Sequence, residues 1–240
     1  MSHHTILDII SSVHKEQPNL NPTEIYNEGW MTRLLIYHSQ KEKLILHEIP
    51  FSSLSNWTSE GLISSPFVNA DSIREGYTHA DITLGDFSID FNNRGQVYVN
   101  EDAELFGIIE AKMGSPLGAG TTNAPNYNQA SRNIACIAYN TIGTNISSFF
   151  GVVAPEATIK KHQIESKLNK DFYYGQIEDR FKMYDKNNAI WEFSEGVLRR
   201  ALAIRTFVFS FEEWIEALTG KDCHYELEDF YSQCLKWNNI

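Results

Sequence analysis

This chain is short of basic charge. Twenty Lys and Arg stand against 31 Asp and Glu in 240 residues, a formal net charge of −11. A protein that tracks a polyanion non-specifically usually leaves a basic footprint, so the acidic balance counts against strong non-specific DNA binding, though not against a cleft of local positive potential. Cysteine is also scarce: Cys136, Cys223 and Cys234 are three in number, with no CxxC spacing. That excludes a fully paired disulfide framework and argues against a structural zinc site. No uninterrupted apolar run reaches membrane-spanning length. The first apolar segment, Ile6 to Ile10, is short, is broken by Asp8 and lacks a positive flank, so it does not read as a secretory signal. The expected location is cytoplasmic. The chain also lacks internal repeats and a GxxxxGK[ST] run. The Gly114–Thr122 stretch therefore reads as a flexible loop on the substrate side rather than a phosphate cradle.

What the sequence does have is Phe106-Gly107-Ile108-Ile109-Glu110-Ala111-Lys112. An apolar run with the look of a buried strand ends in a glutamate and a lysine two residues apart. Side chains alternate across a strand, so the two charges share a face, roughly 7 Å apart along it. Burying either charge alone is expensive, so the pair implies something bound there, such as a metal ion and a phosphate.

The flanking pattern is α/β. A short helix is expected over 5–16. A second starts at Asn21, with Pro22 and Glu24 completing its start signal, and runs to about Tyr37 with Glu28 beside its apolar stripe. Lys43 to Ile49 reads as a strand and 50–78 as irregular. Ala80–Leu84 and Phe87–Phe91 alternate, Asn92–Gly95 is a turn, and Gln96–Val99 returns. After the Glu-x-Lys strand come a helix over Pro125–Tyr139 and a buried strand over Ser147–Ala154. The remainder reads as helical, over 171–186, 190–206, 210–219 and 222–237. Ser210 and Glu213 form a capping box, and Gly220 is a stop. The expected organisation is an α/β core over 1–155 and a helical part over 156–240, the two sharing one core or lying side by side.

Asp81 opens one strand and Glu110 ends another. Two carboxylates and a backbone carbonyl make a hard oxygen site suited to Mg²⁺ or Mn²⁺. Such an ion polarises a phosphoryl oxygen and activates water, and Lys112 beside it can stabilise developing charge. Asp86 is the rival to Asp81, but it follows Gly85 and reads as a turn residue.

From about Thr23 to Ala154 this order resembles the PD-(D/E)xK, or restriction-endonuclease-like, nuclease superfamily. The matching residues are Glu28 in Asn27-Glu28-Gly29-Trp30, Asp81 in His79-Ala80-Asp81-Ile82, Glu110-Ala111-Lys112, and Gln129 in Asn128-Gln129-Ala130-Ser131-Arg132. The resemblance implies a mixed central sheet flanked by helices, Mg²⁺ dependence, and cleavage of DNA, less often RNA. It implies that Asp81, Glu110 and the Ala111 carbonyl hold the metal and that Lys112 assists the nucleophile. Glu28 would bind a second metal or orient a water, and Gln129 would orient Lys112 or the nucleic acid. The chain departs from the family pattern at Ala80, where a proline is common. It departs again at Arg132 and Asn133, which occupy a region where an aromatic is common.

Arg132, Lys160 and Lys161, with Arg199-Arg200, are candidate nucleic-acid contacts; the competing reading of each is a solvated or ion-paired surface charge. The expected function is a Mg²⁺-dependent endonuclease acting on DNA in restriction, defence or repair. A homodimer would serve a double-strand cut. The alternative is an inactive nuclease-like fold that binds nucleic acid or protein. A third reading is a phosphoesterase acting on nucleotides.

Overall fold

Two asparagines, rather than one, start the helical turns that follow residue 20. In the computed structural model, which describes residues 3–15, 19–68, 75–120 and 122–240, helix α1 covers His3–Ser11 and is followed by a 3₁₀ turn. The capping box at Asn21 is present: its side chain accepts from the Thr23 amide, and Glu24 accepts from the Asn21 amide at 3.4 Å. Yet it closes only a 3₁₀ turn, Pro22–Glu24. The Asn27 side chain then donates to the Thr23 and Glu24 carbonyls and accepts from the Trp30 amide. It ends the turn and caps helix α2, Glu28–Lys41. The helix expected from Asn21 to Tyr37 is thus displaced toward the C-terminus, and Glu28 becomes its first residue.

The strand expected over Lys43–Ile49 is a miniature hairpin, β1 Ile45–Leu46 against β2 Ile49–Pro50. His47 and Glu48 both take positive φ, 48° and 59°, which is the geometry a two-residue hairpin loop needs. The stretch expected to be irregular contains a full strand, β3 Asn56–Ile63. Next come β4 Thr78–Gly85, β5 Phe87–Asp90, β6 Gln96–Val99 and β7 Leu105–Ala111. Helix α3, Gln129–Asn140, starts four residues later than expected because Asn128 caps it by accepting from the Ser131 amide at 2.8 Å. Strand β8 occupies Ser147–Ala154, as its apolar run requires.

The C-terminal part is mostly helical: α4 Glu156–His162, α5 Lys170–Lys182 and α6 Trp191–Ala203 come first. The helix expected to reach 206 stops at Ala203. Arg205–Ser210, rich in aromatic and β-branched residues, forms strand β9 instead. Ser210 then caps α7, Phe211–Glu216, by accepting from the Glu213 amide, and α8 covers His224–Asn238.

The main sheet is mixed and seven-stranded, in the order β5-β6-β3-β4-β7-β8-β9. Strand β4 runs antiparallel to β3 and β7; β7, β8 and β9 are mutually parallel. One face carries α3, α5 and α6 over Phe106, Ile108, Phe150 and Val152. The other carries α2, α7 and α8 over Ile82, Ile109, Val153 and Phe209. Residues 156–240 therefore contribute to the sheet and to both of its faces. Two glycines make room within the sheet: a Cβ at Gly107 would lie 2.5 Å from the Phe149 ring, and one at Gly151 would lie 2.6 Å from the Phe207 ring. No helix among the described residues is long and apolar enough to cross a membrane.

Candidate functional site

Strands β4 and β7 pair as far as Ile82 opposite Ile109, and the ladder stops there. The next residues in that register are Asp81 and Glu110. Main-chain pairing gives way to a side chain: Asp81 Oδ2 accepts from the Ala111 amide at 2.9 Å. The chain then returns to β8, where the Lys112 amide donates to the Val153 carbonyl. The end of the antiparallel ladder thus places Asp81, Glu110 and Lys112 at one spot.

Glu110 is fully buried, and both of its oxygens are occupied. Oε1 accepts from Lys112 Nζ and from Gln129 Nε2, each at 2.5 Å. Oε2 accepts from Asn133 Nδ2 at 3.0 Å. Gln129 and Asn133 are one turn apart on α3, so the helix presents two amides to one carboxylate. The Lys112 ammonium also lies 3.9 Å from Asp81 Oδ2. Two carboxylates therefore face one cation. Burial, and then the negative charge of Asp81, push the Glu110 carboxyl up to about 8 against the opposing pull of Lys112. Burial works to lower the proton affinity of Lys112, but Glu110 and Asp81 outweigh it and the net shift is upward.

Glu28 and Asp81 line one side of a pocket of about 250 Å³, together with Ala111, Arg33 and Glu60. The Glu28 charge is among those acting on Lys112. Glu60 has a positive φ of 57° in mid-strand. Strands β3 and β4 pair at Ser59–Ile82 and at Gly61–Ala80, so the ladder is interrupted where Glu60 stands opposite Asp81. A non-glycine residue in the left-handed region is strained, and such strain concentrates at functional sites.

The Gly114–Thr122 loop is tied to the site at Gly118. Its amide donates to Gln129 Oε1 at 3.3 Å, and its carbonyl accepts from the Gln129 amide at 2.9 Å. Gln129 thus holds the loop with one end of its amide and Glu110 with the other. Helix α4 supports the turn after Lys112: Thr158 Oγ1 donates to the Met113 carbonyl, and His162 Nε2 lies 3.2 Å from the Gly114 carbonyl oxygen.

The other candidates are placed less centrally. Arg132 is half-buried on α3, and its Nε has no hydrogen-bond partner. Lys160 and Lys161 are exposed on α4, where Lys160 pairs with Glu156 at 3.0 Å. Arg199 pairs with Glu195, whereas Arg200 is spent on Thr141, the Ile146 carbonyl and Ser148. His79 is exposed on β4, 3.9 Å from Glu60. Asp86 accepts from Ser55 and from the Glu104 and Leu105 amides; those bonds outweigh the upward effect of its burial and hold its carboxyl below the usual range. It is a turn residue.

Asn133, Arg33 and Glu60 were not among the site residues expected from sequence. The signal for Asn133 was its spacing from Gln129. Arg33 and Glu60 gave none, because their place depends on β3.

Asp81 and Glu110, with the Ala111 carbonyl, are the groups that could hold a divalent cation. Mg²⁺ is commonly bound through one or two carboxylates while keeping several waters, and two carboxylates already converge here on one positive charge. Among the described residues, no three His, Cys, Asp or Glu side chains gather closely enough to form a metal-binding cluster on their own. No known family, no curated protein and no solved structure matches the chain.

Proposed function

We propose that this chain is a Mg²⁺-dependent nuclease of the restriction-endonuclease-like, PD-(D/E)xK type, hydrolysing phosphodiester bonds in DNA. The observation that carries this reading is the meeting of Asp81 and Glu110 around Lys112, with Gln129 on the same carboxylate. In this reading Asp81, Glu110 and the Ala111 carbonyl hold Mg²⁺. Bound there, Mg²⁺ would supply Lewis-acid stabilisation of the phosphoryl oxygens and activate the attacking water.

The chain's own residues do the rest. Lys112, held between Glu110 and Asp81, would stabilise negative charge as it develops on the attacking oxygen. Gln129 and Asn133 fix the plane of the Glu110 carboxylate, so its oxygens need no reorganisation during the reaction. Gln129 also fixes the Gly118 loop over the site. Glu28, which lines the same pocket as Asp81, orients a water or holds a second ion. A homodimer belongs to this reading only for a concerted double-strand cut.

The test is plasmid, single-stranded DNA and RNA incubated with Mg²⁺ or Mn²⁺, comparing wild type with Lys112→Ala. Lys112→Ala should cut on the order of 10²–10³-fold more slowly. Absence of lysine-dependent cutting on every polymer would overturn the reading.

The saturation of both Glu110 oxygens by protein donors favours a second reading, a nuclease-like fold that binds without cutting. Binding that survives Lys112→Ala, with no cutting at all, would establish it.

A further inference from the structure

The pocket beside Asp81 holds a positive charge that the proposed chemistry does not use. Arg33, on the second turn of α2, lines it together with Glu28 and Asp81. Its Nε donates to Ser59 Oγ on β3 at 3.1 Å, which fixes the plane of the guanidinium. The group lies over the Trp30 ring, with Cζ 5.3 Å from the centroid. Gly29 leaves room for it: a Cβ there would lie 3.0 Å from Arg33 Nη1. Among the described residues Arg33 has no carboxylate within salt-bridge distance, although Glu28, Glu60 and Asp81 line the same pocket. A guanidinium held in plane, with its outer nitrogens uncommitted, is a bidentate phosphate donor. The indole under it is 40% exposed, a large aromatic surface beside the pocket-lining Arg33.

We infer that Arg33 and Trp30 form a subsite for a single-stranded nucleic acid, in which Arg33 grips a backbone phosphate next to the bond to be cut and Trp30 stacks an unpaired base beside it. This rests on the proposed nuclease reading and names its substrate class. Stacking on an aromatic requires a base free of its partner strand, and every base has a face to offer. A net charge of −11 works against broad electrostatic attraction to either form, so the preference for a single strand comes from the ring. Recognition then falls to one fixed cation and one ring.

The test measures binding apart from cutting. A short fluorescein-labelled oligonucleotide, single-stranded or as a duplex, is titrated in EDTA with wild type, Arg33→Gln, Arg33→Lys and Trp30→Ala. Lys182→Gln, on the far surface helix α5, is the control. Arg33→Gln should weaken single-strand binding on the order of tenfold or more and lower the salt slope by about one. Arg33→Lys should restore the salt slope but only part of the affinity, because the fork is lost while the charge remains. Trp30→Ala should weaken binding on the order of tenfold without changing the slope. The duplex should bind more weakly than the single strand. A role confined to packing α2 on β3 would lower thermal stability and leave the slope unchanged.

Unchanged binding and slope in Arg33→Gln overturns the inference, even if lysine-dependent cutting is found and the nuclease reading stands. Arg33-dependent single-strand binding without any cutting keeps the subsite as a binding site and removes the nuclease reading together with the bond to be cut. A duplex that binds more tightly and ignores Trp30→Ala overturns the single-strand assignment, as does a wild type that binds neither form.

Discussion

Among the described residues two acid–base pairs are buried, and they are built in opposite ways. In one, Arg180 Nε meets Glu75 Oε1 at 3.1 Å, and the guanidinium lies 4.9 Å from the centres of both the Phe67 and Tyr184 rings. Apolar packing closes around it: both side chains are almost wholly out of solvent. In the other, Lys112 meets Glu110, but Asp81 stands 3.9 Å from the same ammonium, is 28% exposed, and opens on a pocket. The first pair is enclosed by aromatic rings. The second has a carboxylate to spare and a path to water. A buried pair that holds two elements together has no reason to keep excess charge of one sign. A site meant for a cation does.

The largest expected effect separates the two by stability. Arg180→Met leaves a buried carboxylate without its partner and should cost about 3–5 kcal/mol in chemical denaturation. Lys112→Met should cost much less at neutral pH, because Glu110 already takes up a proton readily and keeps its bonds from Gln129 and Asn133. Equal losses would mean that the Glu110 pair is a structural tie like the other, and the argument from surplus charge would fail.

Next in size is the response to pH and metal. An acid whose folded pKa exceeds its unfolded value binds more protons when folded, so stability falls as pH rises between the two. For Glu110 that window runs from its ordinary value of 4.5 to about 8. Lys112 shifts upward from 10.5, so its contribution is intact throughout this range and is lost only at higher pH. Metal-free protein should therefore melt several degrees lower at pH 8 than at pH 5, relative to Glu110→Gln, which lacks this titration. Mg²⁺ should reverse the loss at pH 8, with a gain of about 2.7 kcal/mol at a hundredfold excess over Kd. Calorimetry of the two proteins with and without Mg²⁺ checks it. A wild type whose pH profile overlays that of Glu110→Gln would deny the site its excess charge.

How much of this was readable follows from which residues act locally. Glu110 and Lys112 were legible because the two-residue period of a strand is a local rule, and β8 was legible because its apolar run is continuous. Gln129 sat at a helix start that Asn128 marks. Glu28 was found, but its position was not, since Asn27 rather than Asn21 begins the helix. Strand β3 was hidden because Asn56-Trp57-Thr58-Ser59-Glu60-Gly61 has no alternation; its first four residues are half-buried and Glu60 turns left-handed. Everything that depends on β3 was hidden with it, including the bond from Arg33 Nε to Ser59 Oγ that aims the guanidinium. Strand β9 is a different failure. Its Thr206-Phe207-Val208-Phe209 signal is present, but only three residues separate the helices expected over 190–206 and 210–219, too few to stand out as a strand.

The smallest effect distinguishes strain at the site from strain elsewhere. Glu60 and Arg94 are both non-glycine residues in the left-handed region, at φ 57° and 58°. Arg94 closes the turn between β5 and β6 and lies outside the pocket; Glu60 stands opposite Asp81 and lines it. Glycine relieves the same conformational cost at either position, so Glu60→Gly and Arg94→Gly should each stabilise the fold by about 1 kcal/mol. Their effects on cutting should differ. Arg94→Gly should leave it unchanged. Glu60→Gly removes a carboxylate from the pocket and frees the β3 backbone to pair across from Asp81, and should slow cutting several-fold while raising Tm. A gain in stability with no loss of rate at both positions would make the kink at Glu60 an accident of the strand rather than a device that holds Asp81 in place.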